Sequence, residues 1–410
     1  MKIDRIDKSL VEQYKLNCNS RQINNFFLPD KKKDTIQKGL PARLNDLVRI
    51  IMYFNFVDRL NVCDNKEVPT IEIPVYDPIF WNGEKEQLQK MLWSLYRRDF
   101  ILDFIMEESS KPKTQIQKKL FEDHREILLF SEGLDSIAAA TEYKEAILVH
   151  VVKAPYIESH MEKIKKDLFP DRHIEKISYG LRGEKLPPDT GISNSRGLIF
   201  LGLASIHLQL QKSNTLISGE NGLMMHNPPL FEGSKPTRTM NPDFVRSMQE
   251  LLTSIYGRDI SIKTPYVNKT KTEVLEIAKR NLKEKFDTAV VSSYSCFSQQ
   301  PRGKEKKMCG RCYACLLRTI SLRALQGYDN SAYDQSPFSE DFKDGRGIVN
   351  VMDLIRFSRG VLQNKLPYAA KKIVGKDEDL FRRFAKEVIT TVRQVPERSE
   401  ELRIEARRHF

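Results

Sequence analysis

Residues 125–140 read REILLFSEGLDSIAAA, in which a short apolar run leads through a glycine-bearing turn into a stretch of small residues. The pattern predicts a buried strand, a tight turn and a helix. Such a turn presents backbone N–H groups to an anion, and the helix dipole adds to the attraction. Ser131 and Ser136 can donate hydroxyl hydrogen bonds, and Asp135 can cap the helix or hold a metal ion. The alternative interpretation is an ordinary capped strand-to-helix turn.

Strand and helix patterns alternate from about residue 125 onward. The predicted strands are EILLF (126–130), EAILVHVV (145–152), HIEKISY (173–179), NTLISG (214–219) and DISI (259–262). Helical patterns lie in DSIAAATEY, SHMEKIKKDLF, SRGLIFLGLASIHLQLQ, PDFVRSMQELLTSIY and KTEVLEIAKRNLKEK. This alternation predicts an α/β fold with a parallel sheet that helices cover on both faces. Ligands of such sheets bind at the carboxyl ends of strands, near a switch point, and the SEGLDS turn lies at such an end.

Two further blocks flank this predicted domain of residues 120–330. In residues 1–110, TIEIPVY and RDFILDFIM predict strands and GEKEQLQKMLWSLYRR predicts a helix, so we expect an N-terminal α+β extension. The polar stretch SSKPKTQIQKK (109–119) is a plausible linker. Residues 331–410 predict a helical C-terminal extension with an amphipathic helix that ends at Pro396. The apolar face of that helix comprises Leu380, Phe381, Phe384, Ala385, Val388, Ile389 and Val392.

Composition narrows the function only slightly. The 410 residues carry a net charge of +12, which favours acidic partners such as nucleotides, although a solvated basic surface explains it equally well. Interleaved aromatic and basic residues that would indicate nucleic-acid binding are missing from the sequence. No apolar run approaches the roughly 20 residues that span a bilayer, so we expect a cytoplasmic protein with no membrane partner.

Four of the six cysteines lie within 20 residues of one another, at Cys296, Cys309, Cys312 and Cys315. The spacing Cys-x12-Cys-x2-Cys-x2-Cys is typical of a zinc site, because Cys-x2-Cys turns bring thiolates together in pairs. Four sulfur ligands occupy all four coordination positions of a tetrahedral zinc ion and leave none for a substrate. The sequence therefore predicts structural rather than catalytic Zn²⁺ at residues 296–315. We expect Cys18 and Cys63 to be ordinary thiols.

The turn FSEGLDS resembles the SGGxDS loop of the PP-loop pyrophosphatases, which are ATP-dependent adenylating enzymes. The resemblance implies that the loop binds the phosphates of ATP through Ser131, Glu132, Gly133, Leu134, Asp135 and Ser136. Glu132 departs from the pattern, since it adds a side chain and a negative charge where the family has glycine. A carboxylate that faces the phosphates weakens ATP binding unless Mg²⁺ or a lysine compensates, whereas one that faces solvent leaves the backbone intact.

Residues 125–330 together resemble the 7-cyano-7-deazaguanine synthase family, QueC. SNSRGLIFLGLA (193–204) is similar to the family's arginine-bearing helix start, and TPYVNKTKTEV (264–274) to its threonine-lysine segment. SYSCF (293–297) and CGRCYACLLR (309–318) are similar to the zinc-bearing tail. The resemblance implies that ATP, Mg²⁺ and Zn²⁺ are cofactors, and that Lys271, Arg196 and Asp135 act on the reacting groups. Without it, Arg196 and Lys271 are equally well read as surface charges.

The loop SGENGLMMHNPPLFEGSKPTRTMNP (218–242) and the two extensions resemble a QueC-like subgroup of bacterial antiphage defence systems, which includes QatC. The resemblance implies a pocket for a deazaguanine-type small molecule. Its candidate substrate residues are Glu220, Asn221, Asn227, Thr237 and Arg238. GENG and NPP are also simple turn formers, and His226 is either a base or a solvated histidine.

The implied activity is an ATP-dependent carboxylate–amine ligation. We expect the enzyme to adenylate the carboxylate of a 7-deazaguanine and to transfer the acyl group to an amine on a partner protein from the same operon. One alternative is the housekeeping 7-cyano-7-deazaguanine synthase reaction with ammonia. The other is a non-catalytic scaffold that binds a nucleotide within a defence complex, with Glu132 as a sign of lost turnover.

Overall fold

The computed structural model describes residues 5–6, 15–19, 40–60, 68–107, 124–153, 159–182, 193–230, 237–297, 307–336, 338 and 345–394. Its strands are β1 (Arg5–Ile6), β2 (Lys15–Asn19), β3 (Thr70–Val75), β4 (Ile101–Met106), β5 (Ile127–Leu129), β6 (Ile147–Lys153), β7 (Ile174–Arg182), β8 (Thr215–Ser218) and β9 (Ser261–Lys263).

The helices in these ranges begin with α1 (Leu40–Arg59), α2 (Pro78–Gly83), α3 (Lys85–Tyr96), α4 (Leu134–Glu142), α5 (Ser159–Leu168), α6 (Arg196–Leu210) and α7 (Gly222–His226). They continue with α8 (Pro242–Tyr256), α9 (Lys271–Leu282), α10 (Phe286–Ser292), α11 (Tyr313–Gln326), α12 (Gly345–Leu362), α13 (Tyr368–Val374) and α14 (Glu378–Arg393).

The main sheet has six strands in the order β2-β7-β6-β5-β8-β9. All neighbouring strands run parallel except β2, which pairs antiparallel with β7. The predicted α/β fold with a parallel sheet is therefore confirmed, with an added edge strand from the first block. The chain leaves β5 toward β6 and β7 on one side and later adds β8 and β9 on the other. Strands β5 and β8 thus form the switch point, where ligands bind in folds of this class.

Helices cover both faces of the sheet, because successive residues of its central strands point to opposite cores. Ile127, Ile147 and Leu216 lie in the core that contains residues of α1, α3, α6 and α8. Their neighbours Leu128, Leu148 and Ile217 lie in the core that contains residues of α4, α5, α9 and α10. Nearly all of β6 is buried, as expected for a parallel strand between two helical layers.

The first block packs directly on the main sheet domain. Its strands β1, β3 and β4 form a second, parallel sheet, and β3, β4 and α3 lie where the sequence predicts them. The sequence did not predict α1, which packs closely on α6: a Cβ on Gly202 would lie 2.4 Å from Cδ1 of Ile51. One buried apolar cluster holds residues of both blocks. The predicted linker at 109–119 lies outside the described residues.

The last block forms a third core around α12 and α14. The predicted amphipathic face from Leu380 to Val392 is buried there, together with Leu223 of α7 and Leu316 of α11. The helix ends at Arg393, and Pro396 lies outside the described residues. Among the helices in the described ranges, none is both long enough and apolar enough to cross a bilayer. The shared core with Leu223 and Leu316 means that the C-terminal helices pack against α7, which follows β8, and against α11, which carries the last clustered cysteine.

The shared core predicts that the first block and the main sheet domain unfold together. We expect Ile51→Ala to lower the free energy of unfolding by about 2–5 kcal/mol, because the buried side chain leaves a cavity between α1 and α6. In calorimetry, one transition should move as a whole to lower temperature. Ile79→Ala is the control, since Ile79 is 88% exposed and its truncation should have little effect. Two transitions, only one of which moves, would contradict a shared core.

Candidate active site and metal centre

The bend between β5 and α4 is held by its own hydroxyls and by a distant segment. Oγ of Ser131 lies 2.9 Å from Oγ of Ser136 and accepts a hydrogen bond from the N–H of Gly133 at 3.3 Å. The N–H of Tyr294 donates to the carbonyl of Glu132 at 2.8 Å. The bend thus sits at the carboxyl end of β5 with its main chain anchored, and α4 begins directly after it.

Glu132 fits this bend without backbone strain. Its φ is not positive, so a glycine is not required at this position by the main-chain conformation. Gly133, with φ −79° and ψ 149°, is also in the ordinary extended region. Glu132 is only 8% exposed, so its side chain does not extend into solvent. Leu134 is buried in the core and contributes only its main chain to the bend.

Asp135 is the centre of the candidate site. Nζ of Lys271 lies 2.5 Å from its Oδ1, and Nδ2 of Asn221 donates to its Oδ2 at 2.6 Å. Lys271 is only 6% exposed and Asn221 is fully buried. These residues belong to the segments that follow β5, β8 and β9, which are neighbours in the sheet. The fold therefore brings together three residues that lie far apart in the sequence.

Local capping explains how Lys271 and Asn221 reach this place. The hydroxyl of Thr270 accepts from the N–H of Glu273, and the carboxylate of Glu273 accepts from the N–H of Thr270. This capping box starts α9 one residue before Lys271 and directs the lysine toward the switch point. Asn221 caps α7 in a similar way, since its Oδ1 accepts from the N–H of Met224 at 3.2 Å. One amide thus caps a helix and binds Asp135.

Glu220 belongs to the same charged cluster. Burial and, to a smaller extent, the charge of Asp135 raise the pKa of its carboxyl to about 7, although Lys271 and Arg196 oppose the shift. Arg196 is the first residue of α6, and its guanidinium lies over the ring of Phe200 at 5.1 Å. The cluster thus holds one buried cation, Lys271, beside two carboxyl groups, of which Glu220 resists ionisation. Arg196 is exposed and acts on Glu220 through its charge alone.

The other candidate substrate residues lie outside this cluster. Nδ2 of Asn227 donates to the carbonyl of Thr237 at 2.7 Å, so these two residues bind each other. Burial and the nearby charge of Arg97 lower the pKa of Arg238 to about 10. In the described part of the chain, no hydrogen bond or ion pair joins Asn227, Thr237 or Arg238 to Asp135 or Lys271.

His226 is a core residue rather than a solvated loop histidine. It is the last residue of α7, is buried, and packs edge-to-face on Phe381 of α14 with ring centroids 5.9 Å apart. Burial lowers the pKa of its ring, so the imidazole stays neutral at physiological pH. The packing on Phe381 indicates a structural role.

The four clustered cysteines are arranged as a metal centre. All four sulfur atoms lie within 4.8 Å of one another, and three of the distances are 3.4 Å (Cys312–Cys315), 3.9 Å (Cys309–Cys315) and 4.0 Å (Cys296–Cys312). A tetrahedral zinc ion with sulfur ligands at about 2.3 Å requires sulfur atoms about 3.8 Å apart. The donor set and its spacing therefore fit Zn²⁺. Gly310 has φ 75°, a left-handed conformation that glycine readily adopts in the turn from Cys309 to Cys312.

Arg318 connects this centre to the bend. Its fully buried guanidinium donates to the hydroxyls of Ser293, Ser295 and Ser331 and to the carbonyl of Val290. Residues 290–295 are thereby fixed immediately before Cys296. Because the N–H of Tyr294 holds the carbonyl of Glu132, the same segment supports the bend at residues 131–136. Sequence reasoning missed this link, although Arg318 stands inside the CGRCYACLLR segment.

Comparison with known proteins places this geometry in a family context. Residues 171–326 match the family model described as "Queuosine biosynthesis protein QueC". This part of the chain is QueC-like. It contains Arg196, Glu220, Lys271 and all four clustered cysteines, whereas the bend at 131–136 precedes the matched range.

Two curated relatives are both named 7-cyano-7-deazaguanine synthase. The protein from Picrophilus torridus is 27% identical over 147 residues, which cover 35% of this chain and 54% of that protein. The protein from Gloeobacter violaceus is 35% identical over 83 residues, which cover 20% of this chain and 33% of that protein. The chain thus spans about half of the first relative and a third of the second.

The buried ion pair predicts a large cost for removing Lys271. We expect Lys271→Met to lower the free energy of unfolding by about 3–5 kcal/mol, because Asp135 is left buried without its counter-charge. The matched control is Lys263→Met, which breaks an exposed pair with Glu126 at 2.6 Å and should cost less than about 1 kcal/mol. Urea denaturation of both variants measures the difference. Equal costs would show that the buried pair contributes no more than a surface pair.

The sulfur geometry predicts one zinc ion per chain. Cys312→Ser should lower the metal content measured by mass spectrometry of the acid-digested protein and should lower the melting temperature, because metal binding stabilises the folded state. Cys63→Ser, which alters a thiol far from the cluster in sequence, should leave both unchanged. Metal content that is the same in Cys312→Ser and the unaltered protein would rule out a site made of these four sulfurs.

The raised pKa of Glu220 predicts a pH-dependent stability. Because the folded-state pKa is about 7 and the ordinary value is 4.5, the stability that protonated Glu220 contributes is lost as pH rises through that interval. Glu220→Gln cannot ionise, so it does not lose this stability. As pH rises from about 5 to about 8, the melting temperature of the variant should therefore rise relative to that of the unaltered protein. Glu145→Gln, at an exposed position, is the control. Parallel pH curves for Glu220→Gln and the unaltered protein would contradict the shift.

Proposed function

We propose that this protein is an ATP-dependent ligase that adenylates the carboxylate of a 7-deazaguanine and transfers the acyl group to an amine on a partner protein. The observation that carries the proposal is the convergence of Asp135, Lys271, Asn221 and Glu220 at the switch point of a parallel sheet, beside the bend at 131–136. The names of the curated relatives support a deazaguanine as the substrate class.

Each part of the cluster has a role in the proposed reaction. The main-chain amides of residues 131–136 and the start of α4 hold the terminal phosphates of ATP. Lys271 and Arg196 neutralise charge that develops on the phosphates, and Asp135 supplies carboxylate oxygens of the kind that Mg²⁺ binds. Bound Mg²⁺ would neutralise further phosphate charge. Glu220 lines the position of the deazaguanine, and Asn221 holds Asp135 in place beside it.

The chemistry has two balanced steps. An oxygen of the substrate carboxylate attacks the α-phosphorus of ATP, the bond to the β-phosphate oxygen breaks, and pyrophosphate leaves. The amine nitrogen of the acceptor then attacks the acyl carbon of the adenylate, the bond to the AMP oxygen breaks, and the nitrogen loses one proton. The residues of this chain mainly orient the reactants and stabilise charge.

The choice of a partner protein as acceptor, and of antiphage defence as the setting, rests on the two extensions and on the loop at 218–242. Together the extensions supply surfaces beyond the QueC-like part of the chain. The names of the relatives favour a second candidate, a 7-cyano-7-deazaguanine synthase reaction in which ammonia is the amine and a second activation yields the nitrile. The buried acid at Glu132 favours a third, a nucleotide-binding scaffold without turnover.

One set of incubations separates these candidates. The full chain is incubated with Mg-ATP, 7-carboxy-7-deazaguanine and either ammonia or the proteins of neighbouring genes, and both small molecules and intact proteins are weighed by mass spectrometry. A partner protein that gains the deazaguanine acyl mass, with AMP and pyrophosphate as products, supports the proposal. A nitrile formed with ammonia alone supports the synthase. Binding of Mg-ATP without AMP formation supports the scaffold, and no binding overturns all three.

A further inference from the structure

Two carboxylates from the extensions, the buried Asp58 and the half-buried Glu387, lie at the starts of the two helices that carry the cations of the candidate site. Glu387 belongs to α14, and its Oε1 and Oε2 accept hydrogen bonds from the hydroxyls of Thr270 and Thr272, each at 2.7 Å. These threonines flank Lys271 in the sequence. Glu387 therefore holds the first turn of α9 from outside, on both sides of the lysine.

Arg383 strengthens this contact from one turn earlier on α14. Its guanidinium donates to the carbonyl of Asn268 at 2.8 Å and pairs with Glu273 at 2.7 Å. The hydroxyl of Thr270 accepts from the N–H of Glu273 while it donates to Glu387, so its single proton is committed and its rotamer is fixed. Residues 268–273 are thus bound along one face of α14.

Asp58 holds the start of α6 as Glu387 holds the start of α9. It lies near the end of α1, and its Oδ2 accepts from both the N–H and the hydroxyl of Ser195, at 2.8 and 2.5 Å. Ser195 precedes Arg196 and makes no side-chain cap of its own to α6. A carboxylate at this end satisfies free N–H groups and complements the helix dipole. The first block thus anchors the N-cap residue of α6 through both its N–H and its hydroxyl.

We infer that Asp58 and Glu387 are positioning residues, which hold the starts of α6 and α9 so that Arg196 and Lys271 stay directed at the phosphates. The inference rests on the proposed function, because it concerns cations that act on ATP. According to this inference, α1 and α14, which come from opposite ends of the chain, both help to hold the cations of one site in place. Neither Asp58 nor Glu387 contacts the reacting groups in this role.

The chemistry of the two carboxylates supports a role in positioning rather than in stability alone. Burial raises the pKa of Asp58 to about 6 and that of Glu387 to about 7, so each ionised group is held at a cost in solvation. Apolar residues in these places would avoid that cost, but they could not accept the hydrogen bonds that orient the helix starts. Orientation matters at such a site, since a displacement of 1 Å can cost about 100-fold in rate.

The test measures Mg-ATP affinity by calorimetry and melting temperature for variants of the full chain. Glu387→Ala and Asp58→Ala should weaken Mg-ATP binding by about 10-fold or more, because the helix starts lose their anchor. Glu387→Gln and Asp58→Asn keep an acceptor oxygen and should restore most of the affinity. The control on the same helix is Lys386→Ala, at an exposed position, which should bind as the unaltered protein does.

A double-mutant cycle separates positioning from general stability. In a Lys271→Met background, Glu387→Ala should weaken Mg-ATP binding by less than about 3-fold, because the cation it positions is already missing. Asp58→Ala in an Arg196→Met background should behave in the same way. If the alanine variants fail to fold, Thr272→Val, which removes one hydroxyl at constant volume, should show the affinity loss instead.

The outcomes distinguish this inference from the proposed function. If the unaltered protein binds Mg-ATP and the alanine variants or Thr272→Val bind it equally tightly, the positioning role is overturned and the proposed function stands. Full losses that persist in the Lys271→Met and Arg196→Met backgrounds also overturn it, since the carboxylates then act independently of those cations. If the unaltered protein binds no Mg-ATP, both fall together.

Discussion

The ion pair between Lys271 and Asp135, closed by the amide of Asn221, is the contact on which the candidate site depends. It joins three segments that follow neighbouring strands, and each partner is buried. A buried pair of this kind tolerates little displacement, because either charge alone would be left without water or a counter-charge. The starts of α4, α7 and α9 must therefore keep their relative positions. The capping of α7 and α9 and the two cores serve that requirement.

The extensions are built into this arrangement rather than attached to it. Residues of α1 share a core with the main sheet, and α14 packs along the segment that leads into α9. Residues 15–19 also add an edge strand to the main sheet. The QueC-like residues 171–326 thus form a continuous structure with segments that the family match does not include. Any change of position in either extension would be transmitted to a helix that starts with a cation.

Much of the fold could be predicted from local pattern, because alternating strands, helices and turn residues carry their own periodicity. The buried face of α14 and the cysteine spacing were predicted for the same reason. Helix α1 was not predicted because most of its residues are buried, on nearly every face of the helix. It therefore lacks the single apolar stripe by which a surface helix is recognised in a sequence. The pairs of Asp58 with Ser195 and of Glu387 with Thr270 span 137 and 117 residues, and no local pattern announces such contacts. At the bend, the sequence suggested a difficulty that the structure does not show. Glu132 stands where the resemblance expects glycine, yet its main chain is not strained.

The hydrogen bond from Tyr294 to the carbonyl of Glu132 connects the cysteine cluster to the loop that follows β5. Only Ser295 separates Tyr294 from Cys296, so the segment that brings the first cysteine to the cluster is also the one that holds the loop after β5.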